Sequence, residues 1–248
     1  MKIQKKIIAI GGGENGRILE DGNFAPYNTK EIDEEIVKLS NKKNPNFLFI
    51  NHAMQSLETQ ESYFQTMKKI YGDKLNCFCD DLKTTELENK EKVCKKLKWA
   101  DIIYEGGGDT AYMIDLWKKT GFDKLLYNAW LDGKVISGIS AGAMCWFNSG
   151  NSDSEEEFTN LDCLDWINFY VTPHANEDGR IESSIKHLND KKINGIFLSN
   201  CCALEIIDNN YKIIKSSNDA FAYLAFWRNN QLYKKELPES GKIDDINM

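Results

Sequence analysis

Four short apolar runs, each ended by glycine or a turn residue, most constrain the fold of this 248-residue chain. They are Ile7 to Ile10, Phe47 to Ile50, Ile102 to Tyr104 and Val135 to Ile139. A strand that is apolar throughout, instead of alternating apolar and polar residues, is covered on both faces, as in the parallel sheet of an α/β protein. Longer amphipathic stretches separate the runs, as crossover helices do. We therefore predict a three-layer α/β/α sandwich around a mainly parallel sheet.

Capping-box patterns predict the starts of two of these helices, one at Asn28 and Glu31 and the other at Thr85 and Glu88. A further helix is predicted over 57–71. The apolar side chains predicted to face the core from the two capped helices are Ile32, Ile36, Leu39, Val93 and Leu97.

The sequence becomes polar and acidic over 148–160, which predicts a surface loop that includes three consecutive glutamates. Beyond this loop the apolar pattern predicts a strand near 169–172, a helix near 181–188 and β-like runs at 203–207, 211–215 and 220–226. The Asp208-Asn209-Asn210 turn predicts a hairpin between the first two of those runs, so the sheet should end in antiparallel strands toward the C-terminus. No internal repeat or low-complexity linker divides the chain, which favours a single domain over 1–248.

Composition excludes several classes of protein. With 38 acidic and 31 basic residues the formal charge is −7, so the chain lacks the broad positive field that nucleic-acid binding needs. No apolar run approaches the roughly 20 residues that span a bilayer, and the first run is too short for a signal-peptide core. The seven cysteines are odd in number and include no Cys-x-x-Cys pair, which argues against a disulfide framework or a zinc ribbon. We expect a cytoplasmic protein without a metal.

The sharpest local pattern is Gly138-Ile139-Ser140-Ala141-Gly142, which ends the fourth apolar run and precedes an apolar helical start. Strand, Gly-x-Ser-x-Gly and helix in that order form a nucleophile elbow, in which the serine hydroxyl projects at the carboxyl edge of the sheet. The alternative interpretation is a glycine-flanked serine in an ordinary turn. The position of the pattern directly after a buried strand favours the elbow.

A second glycine cluster, Gly106-Gly107-Gly108, follows the third apolar run and precedes another helix. If both turns lie at one sheet edge, the amide of Ala141 and that of Gly107 or Gly108 could jointly hold an oxyanion. The alternative is a phosphate cradle. Neither this cluster nor the glycines at 11–13 fits the dinucleotide-binding or P-loop pattern, so nucleotide binding is disfavoured.

A serine nucleophile needs a base, and the chain offers only His52, His174 and His187. His174 is the strongest candidate because it follows the strand predicted near 169–172 and should emerge at a sheet edge. His187 falls mid-helix beside a lysine, which favours a solvated surface position. His52 also follows a predicted strand and stays a weaker candidate for the cleft.

Together these residues resemble the serine peptidase family that contains dipeptidase E, the aspartyl dipeptidase, and cyanophycinase. Three motifs in order carry the resemblance: the glycine-rich loop 106–110 that ends in Asp-Thr, the nucleophile motif 138–143, and Pro173-His174 for the base. The family is similar in fold to the class I glutamine amidotransferases, with serine where those enzymes carry cysteine. The resemblance therefore implies a peptidase with that fold over the whole chain.

The resemblance implies a Ser-His-Glu triad, and here the sequence departs from the family. Asn200 stands where the glutamate is expected. Asparagine can fix a histidine tautomer by hydrogen bonding, but it cannot stabilise an imidazolium by charge. Glu177, Asp178 or Glu205 could supply the carboxylate from a neighbouring position.

Three charged residues are candidates for substrate binding. Asp153 resembles an aspartate of the dipeptidases that would neutralise a free substrate α-amino group. Arg180, six residues past His174, could pair bidentately with a substrate carboxylate. Asp109, directly after the three glycines of the loop 106–110, is the third candidate. For Asp153 and Arg180 the alternative is solvated surface charge.

These patterns lead to the expectation of a serine peptidase that hydrolyses small peptides or isopeptides, with aspartyl linkages favoured, through an acyl-enzyme on Ser140. No organic cofactor is expected, the partner is a small peptide substrate, and a homodimer is left open. A catalytically inactive small-molecule binder on the same fold is the competing hypothesis, motivated by Asn200. An esterase-type acyl hydrolase with the same Ser-His pair is a third.

Overall fold

The computed structural model describes residues 3–17, 19, 22–154 and 157–246. Its strands are β1 Lys6–Ile10, β2 Asn46–Phe49, β3 Phe78–Asp81, β4 Ile102–Glu105, β5 Val135–Ile139, β6 Phe147–Ser152, β7 Thr159–Asp162, β8 Ile167–Thr172, β9 Gly195–Leu198, β10 Cys202–Ile207, β11 Asn210–Lys215, β12 Ala222–Arg228, β13 Gln231–Glu236 and β14 Ser240–Lys242. Its α-helices are α1 Lys30–Leu39, α2 Leu57–Met67, α3 Lys90–Trp99, α4 Thr110–Thr120, α5 Phe122–Leu131, α6 Ala141–Met144, α7 Arg180–Lys191 and α8 Ile243–Ile246.

The larger sheet has eight strands in the order β14-β11-β10-β1-β5-β4-β2-β3. Strands β1, β5, β4, β2 and β3 run parallel, whereas β10, β11 and β14 pair antiparallel. The four apolar runs coincide with β1, β2, β4 and β5, and the predicted hairpin at Asp208 joins β10 to β11. The prediction of an α/β fold with a mainly parallel sheet and antiparallel strands toward the C-terminus is therefore confirmed.

Alternate side chains of the apolar strands enter two different hydrophobic clusters. Along β1, Ile7 and Ala9 pack in one cluster with residues of α3, α4 and α5. Ile8 and Ile10 pack in the other with residues of α1 and α2. Because each face of the strand meets its own layer of helices, neither face tolerates polar residues. This is why the run Ile7 to Ile10 is apolar throughout.

A second sheet of six strands, in the order β13-β12-β9-β8-β6-β7, was not predicted. Side chains on one face of this sheet, such as Phe169 and Val171 on β8, enter the cluster that also covers the first sheet. On its other face Tyr170 and Phe197 pack with Leu188 of α7. The run predicted over 220–226 belongs here, because β12 pairs with β9 rather than extending the first sheet.

The prediction of a surface loop over 148–160 is wrong where the structure describes it. Strands β6 and β7 form an antiparallel pair there, and Ser149, Asn151 and Ser152 are buried. Asn151 donates a hydrogen bond to the hydroxyl of Ser183 at 3.1 Å, so its polarity is used inside the protein. Polar composition therefore did not signal exposure. Glu155 and Glu156 of the predicted loop lie outside the described residues.

The helices were predicted better than their caps. Asn28 does not cap α1, because its side-chain oxygen accepts a hydrogen bond from the amide of Glu14 at 2.7 Å. Asn89, rather than Thr85, caps α3. The helix predicted over 57–71 begins as α2 and continues as a π-helix, Lys68–Lys74. The predicted core residues that are buried are Ile32, Ile36, Val93 and Leu97. Across the described part of the chain, every helix is too short or too polar to cross a membrane.

Candidate active site

Ser140 lies in a strained turn between β5 and α6. Its backbone has φ 57° and ψ −113°. For any residue other than glycine, this conformation is unfavourable in free energy. The turn requires glycine on both sides of the serine. A Cβ on Gly138 would lie 2.4 Å from the carbonyl oxygen of Gly142, and one on Gly142 would lie 2.3 Å from that of Glu105. The Gly-x-Ser-x-Gly spacing is thus dictated by backbone packing beneath the serine.

Ser140, His174 and Asn200 form a chain of hydrogen bonds. The Ser140 Oγ lies 2.9 Å from His174 Nε2, and His174 Nδ1 lies 2.6 Å from Asn200 Oδ1. An amide oxygen only accepts, so the ring proton sits on Nδ1 and donates to Asn200. Nε2 is then free to accept the serine proton. This is the geometry of a serine nucleophile with its general base.

The glycine run after β1 brings His174 and Asn200 together, and sequence analysis missed this role. The amide of His174 donates to the carbonyl of Gly11 at 2.8 Å, and the amide of Cys201 donates to that of Gly12 at 2.9 Å. A Cβ on Gly12 would lie 2.3 Å from His174 Nδ1 and 2.1 Å from Asn200 Oδ1. A glycine cluster directly after a central parallel strand was the signal that could have identified it.

Of the predicted oxyanion residues, two flank the serine. A Cβ on Gly107 would lie 3.4 Å from the Ser140 Cβ, so the glycine-rich loop borders Ser140. Ala141 begins α6 and its amide lacks an acceptor one turn earlier in that helix. Gly108 instead packs on Ala53, whose carbonyl oxygen would lie 2.5 Å from a Cβ added at Gly108.

The carboxylate of Asp109 is occupied by the protein itself. One oxygen accepts from the amide of Tyr112 at 3.0 Å and caps α4, and the other accepts from Gln55 at 3.3 Å. The predicted contact of Asp109 with substrate is therefore replaced by a capping role. A carboxylate at the start of α4 also opposes the phosphate cradle considered for this loop, because it would repel an anion.

Arg180 is buried, with a side chain only 1% exposed, and its guanidinium is bound within the protein. Nη1 donates to Glu177 Oε2 at 2.6 Å and to Asp153 Oδ2 at 3.2 Å, while Nη2 donates to the carbonyl of Asn151 at 3.2 Å. The prediction that Arg180 binds a substrate carboxylate is wrong, because its donors are turned inward. Asp153 lines a separate depression with Glu157 and is held by the same arginine, so its predicted contact with a substrate amine gains no support.

The three alternative carboxylates differ in where they lie. Glu177 Oε1 lies 4.0 Å from His174 Nδ1. Asp178 is exposed, and none of the hydrogen bonds or ion pairs within the described ranges involves it. Glu205 lies in β10, where burial raises the pKa of its carboxyl and Lys212 is its charged neighbour. The register that pairs Glu205 with Ile8 places it away from His174, so Glu205 is excluded as a triad member.

The other two histidines lie outside this site. His52 is fully buried, with Nε2 2.6 Å from the carbonyl oxygen of Leu82, and Nδ1 accepts from the indole of Trp117 at 2.9 Å. Burial lowers the pKa of His52 to about 4, so it is neutral. His187 lies on α7 and contacts the hydroxyl of Tyr170 at 3.3 Å. Neither can act as the base for Ser140.

The model of peptidase family S51 matches residues 18–214 of the chain. The chain belongs to peptidase family S51. Membership confirms the resemblance to dipeptidase E that the three motifs suggested, and it supports a peptidase activity. The uncharacterized peptidase YgaJ of Bacillus subtilis is 29% identical over 237 residues, covering 94% of this chain and 97% of the relative. The uncharacterized peptidase Lin0382 of Listeria innocua is 31% identical over 144 residues, covering 55% of this chain and 68% of the relative.

Two solved structures share the fold of this family S51 chain. A peptidase from an acI-B1 Actinobacterium superposes with a TM-score of 0.72 at 22% identity, covering 97% of this chain and 98% of the other. A putative peptidase E protein from Listeria monocytogenes superposes with a TM-score of 0.57 at 18% identity, covering 94% and 99%. The likeness spans both sheets, so the second sheet is part of a fold that these structures share.

Ser140 and His174 line a cleft of about 550 Å³. One wall is α2 with the start of the π-helix, and the other is the segment after β1. The lining residues are Gly13, Arg17, Met54, Thr59, Ser62, Tyr63, Gln65, Thr66, Lys69, Gly107, Ile139, Ser140 and His174. Within the described ranges the lining includes two cations, Arg17 and Lys69, and no carboxylate. The same ranges hold no group of three or more side chains that could bind a metal ion.

Proposed function

We propose that this chain is a serine peptidase that hydrolyses small peptides through an acyl-enzyme on Ser140. The observation that carries the proposal is the hydrogen-bond chain from Ser140 through His174 to Asn200, at 2.9 and 2.6 Å, opening into a cleft. Membership of family S51 supports hydrolysis of peptides rather than another acyl transfer.

The geometry gives each residue a step in this mechanism. Nε2 of His174 accepts the hydroxyl proton while the Ser140 Oγ attacks the substrate carbonyl carbon. Asn200 keeps the ring proton on Nδ1, so the imidazole cannot rotate or change tautomer. The amides of Ala141 and Gly107 would hold the tetrahedral oxyanion. His174 then returns the proton to the leaving amine, and water releases the acyl group by the reverse proton path.

The charge of the cleft supports peptides that carry a carboxylate, in agreement with the aspartyl preference expected from the resemblance. Arg17 already binds Glu14, because its Nε and Nη2 donate to the two carboxylate oxygens at 2.9 and 3.0 Å. Lys69 is exposed and forms no ion pair with any residue in the described part of the chain. A substrate carboxylate is the anion that this ammonium group lacks, so we assign the acidic specificity to Lys69, with Arg17 beside it.

The direct test is amine release from short peptides with α-aspartyl, β-aspartyl and neutral N-termini. We expect release to favour the aspartyl peptides and to fall by at least about 10³-fold in Ser140→Ala. Ser40→Ala, at the C-terminal end of α1, is the matched control and should keep full activity. Undiminished release by Ser140→Ala would overturn the proposal.

Two other outcomes would point to the competing functions. A folded protein that releases no amine from any peptide, yet binds them, would favour a non-catalytic binder. Faster turnover of an ester than of a peptide of equal shape is expected for any acyl-enzyme mechanism. Turnover of the ester alone would favour an esterase.

A further inference from the structure

A triad carboxylate has two functions that can be separated: it orients the histidine, and its charge stabilises the imidazolium that forms during catalysis. Asn200 performs the first, because its amide oxygen accepts from His174 Nδ1 at 2.6 Å. Its own backbone amide is held by Asn176 Oδ1 at 2.7 Å, so its position is fixed. Asn200 carries no charge and cannot perform the second function.

Among the residues that the structure describes, the nearest carboxylate to that ring belongs to Glu177, three residues further along the chain. Its Oε1 lies 4.0 Å from His174 Nδ1, too far for a hydrogen bond but close enough for a charge to act. A turn sets this separation, because the amide of Glu177 donates to the carbonyl of His174 at 2.9 Å.

Buried Arg180 fixes the carboxylate of Glu177 in this place. Its Nη1 binds Glu177 Oε2 at 2.6 Å, which leaves Oε1 on the side of His174. Arg180 alone would cancel the charge of Glu177. However, the same nitrogen also binds Asp153, so the group of one arginine and two carboxylates carries a net charge of −1.

We propose that Glu177 provides the negative charge that Asn200 lacks, so that the orienting and the electrostatic functions of the triad carboxylate are divided between two residues. This inference rests on the proposed function, since it concerns the imidazolium of the same Ser-His pair. Glu177 is a positioning residue in this scheme, because it touches neither substrate nor the reacting atoms. It acts on the proton acceptor through space.

Phosphorylation of Ser140 by diisopropyl fluorophosphate tests this without a known substrate. The Ser140 Oγ forms a bond to phosphorus, the P–F bond breaks, fluoride leaves, and the hydroxyl proton passes to His174 Nε2. The reagent is neutral, so the cations of the cleft do not influence the rate. In Glu177→Gln the amide oxygen can still accept from Arg180 but the charge is lost. Since Glu177 is half-exposed and partly screened, we expect the second-order rate constant to fall about tenfold.

Asp178→Asn is the matched control, because Asp178 is the adjacent carboxylate and is exposed. It should react within about twofold of the wild-type rate. Glu177→Asp, which keeps the charge on a shorter side chain, should recover part of the loss. Thermal unfolding of each variant separates slower reaction from loss of folded protein. An unchanged rate in Glu177→Gln would overturn the inference.

Asn200→Asp distinguishes an electrostatic role from a structural one. It is isosteric and restores a carboxylate against His174 Nδ1, so the charge of Glu177 becomes redundant. In that background Glu177→Gln should cost less than about threefold. A full tenfold loss there would mean that Glu177 acts through the packing of Arg180, which overturns the inference. No labelling of Ser140 in the wild type would instead remove the proposed function, and with it this inference.

Discussion

His52 and His174 each follow a strand, yet the structure uses them in opposite ways. Both ring nitrogens of His52 are occupied inside the core, by the indole of Trp117 and the carbonyl of Leu82. The ring of His174 is held on one side by Asn200 and meets the hydroxyl of Ser140 on the other. A strand ending therefore brings a histidine to the sheet edge, but its partners decide whether it packs or accepts a proton.

The backbone accounts for part of this difference. His174 has φ 48° and its amide is held by the carbonyl of Gly11, so the ring turns toward the glycine run after β1. The amide of His52 donates to the carbonyl of Ile50 at 2.7 Å, a tight turn that directs its ring inward against Phe122. The same residue type is thus a hydrogen-bond partner of Ser140 or a core residue according to a local turn.

The largest expected effect tests the contrast between the two histidines by replacing each of them with glutamine. His174→Gln removes the proton acceptor, so kcat/KM should fall on the order of 10³- to 10⁴-fold with little loss of stability. His52→Gln should keep kcat/KM within about threefold while the free energy of unfolding falls. Peptide hydrolysis and urea unfolding of both variants check this. A comparable loss of turnover in both would show that His52 reaches the catalytic centre after all.

A second prediction tests whether the glycine run after β1 holds His174 and Asn200 together. A Cβ on Gly12 would collide with both His174 Nδ1 and Asn200 Oδ1, so Gly12→Ala should separate this pair and lower kcat by about 10²-fold. Gly72→Ala is the control, because a Cβ there would meet only ordinary contacts, the nearest being 3.5 Å from Cys79 Sγ. The measurement is kcat at saturating peptide with unfolding midpoints alongside. Full activity in Gly12→Ala would mean that the histidine and asparagine need not touch.

Sequence could predict the central sheet and the strand-turn-helix unit that carries Ser140, because both are encoded in short local patterns. An apolar run such as Val135 to Ile139 indicates a buried strand, and the glycines on either side of Ser140 form a pattern five residues long. The position of His174 after a predicted strand made it the candidate base, and the family resemblance pointed to the same residue. These features depend on residues that are neighbours in the chain or in a motif.

The second sheet and the burial of Arg180 could not be predicted, because both depend on contacts between residues distant in sequence. Strand β12 pairs with β9 rather than with β11, and nothing in an apolar run specifies its partner. Arg180 can be buried because Asp153, 27 residues earlier, and Glu177 pair with its guanidinium. A single sequence does not show which oppositely charged residues the fold will bring next to a given charged residue.

A smaller effect is expected in the pH dependence of stability, which tests whether His52 is buried and neutral. Its pKa is about 4 in the folded protein against 6.5 in the unfolded chain, so the unfolded state binds more protons between these values. Its contribution is therefore full above about pH 6.5 and is lost as the pH falls toward 4. The difference in unfolding free energy between wild type and His52→Gln should be about 2 kcal/mol larger at pH 7 than at pH 5.

Only this difference, rather than the wild-type curve, isolates His52. Burial raises the pKa of Asp33 to about 6 from 3.8, so the folded state holds its proton more tightly and stability falls as the pH rises through 6. The two groups oppose each other over the same range. Urea titrations of both proteins at the two pH values provide the measurement. A difference that does not change with pH would mean that His52 is not neutral and buried.

The smallest expected effect concerns the open end of the cleft, where the contrast is between a solvated lysine and the buried Arg180. If Lys69 binds the substrate carboxylate, Lys69→Gln should raise KM for aspartyl peptides by about three- to tenfold, because a solvent-exposed ion pair contributes little. The KM of neutral peptides and kcat should stay unchanged. Lys68→Gln, the exposed neighbour that does not line the cleft, is the control. An equal rise in KM for neutral peptides would indicate a change in the shape of the cleft and return the question of acidic specificity to Arg17.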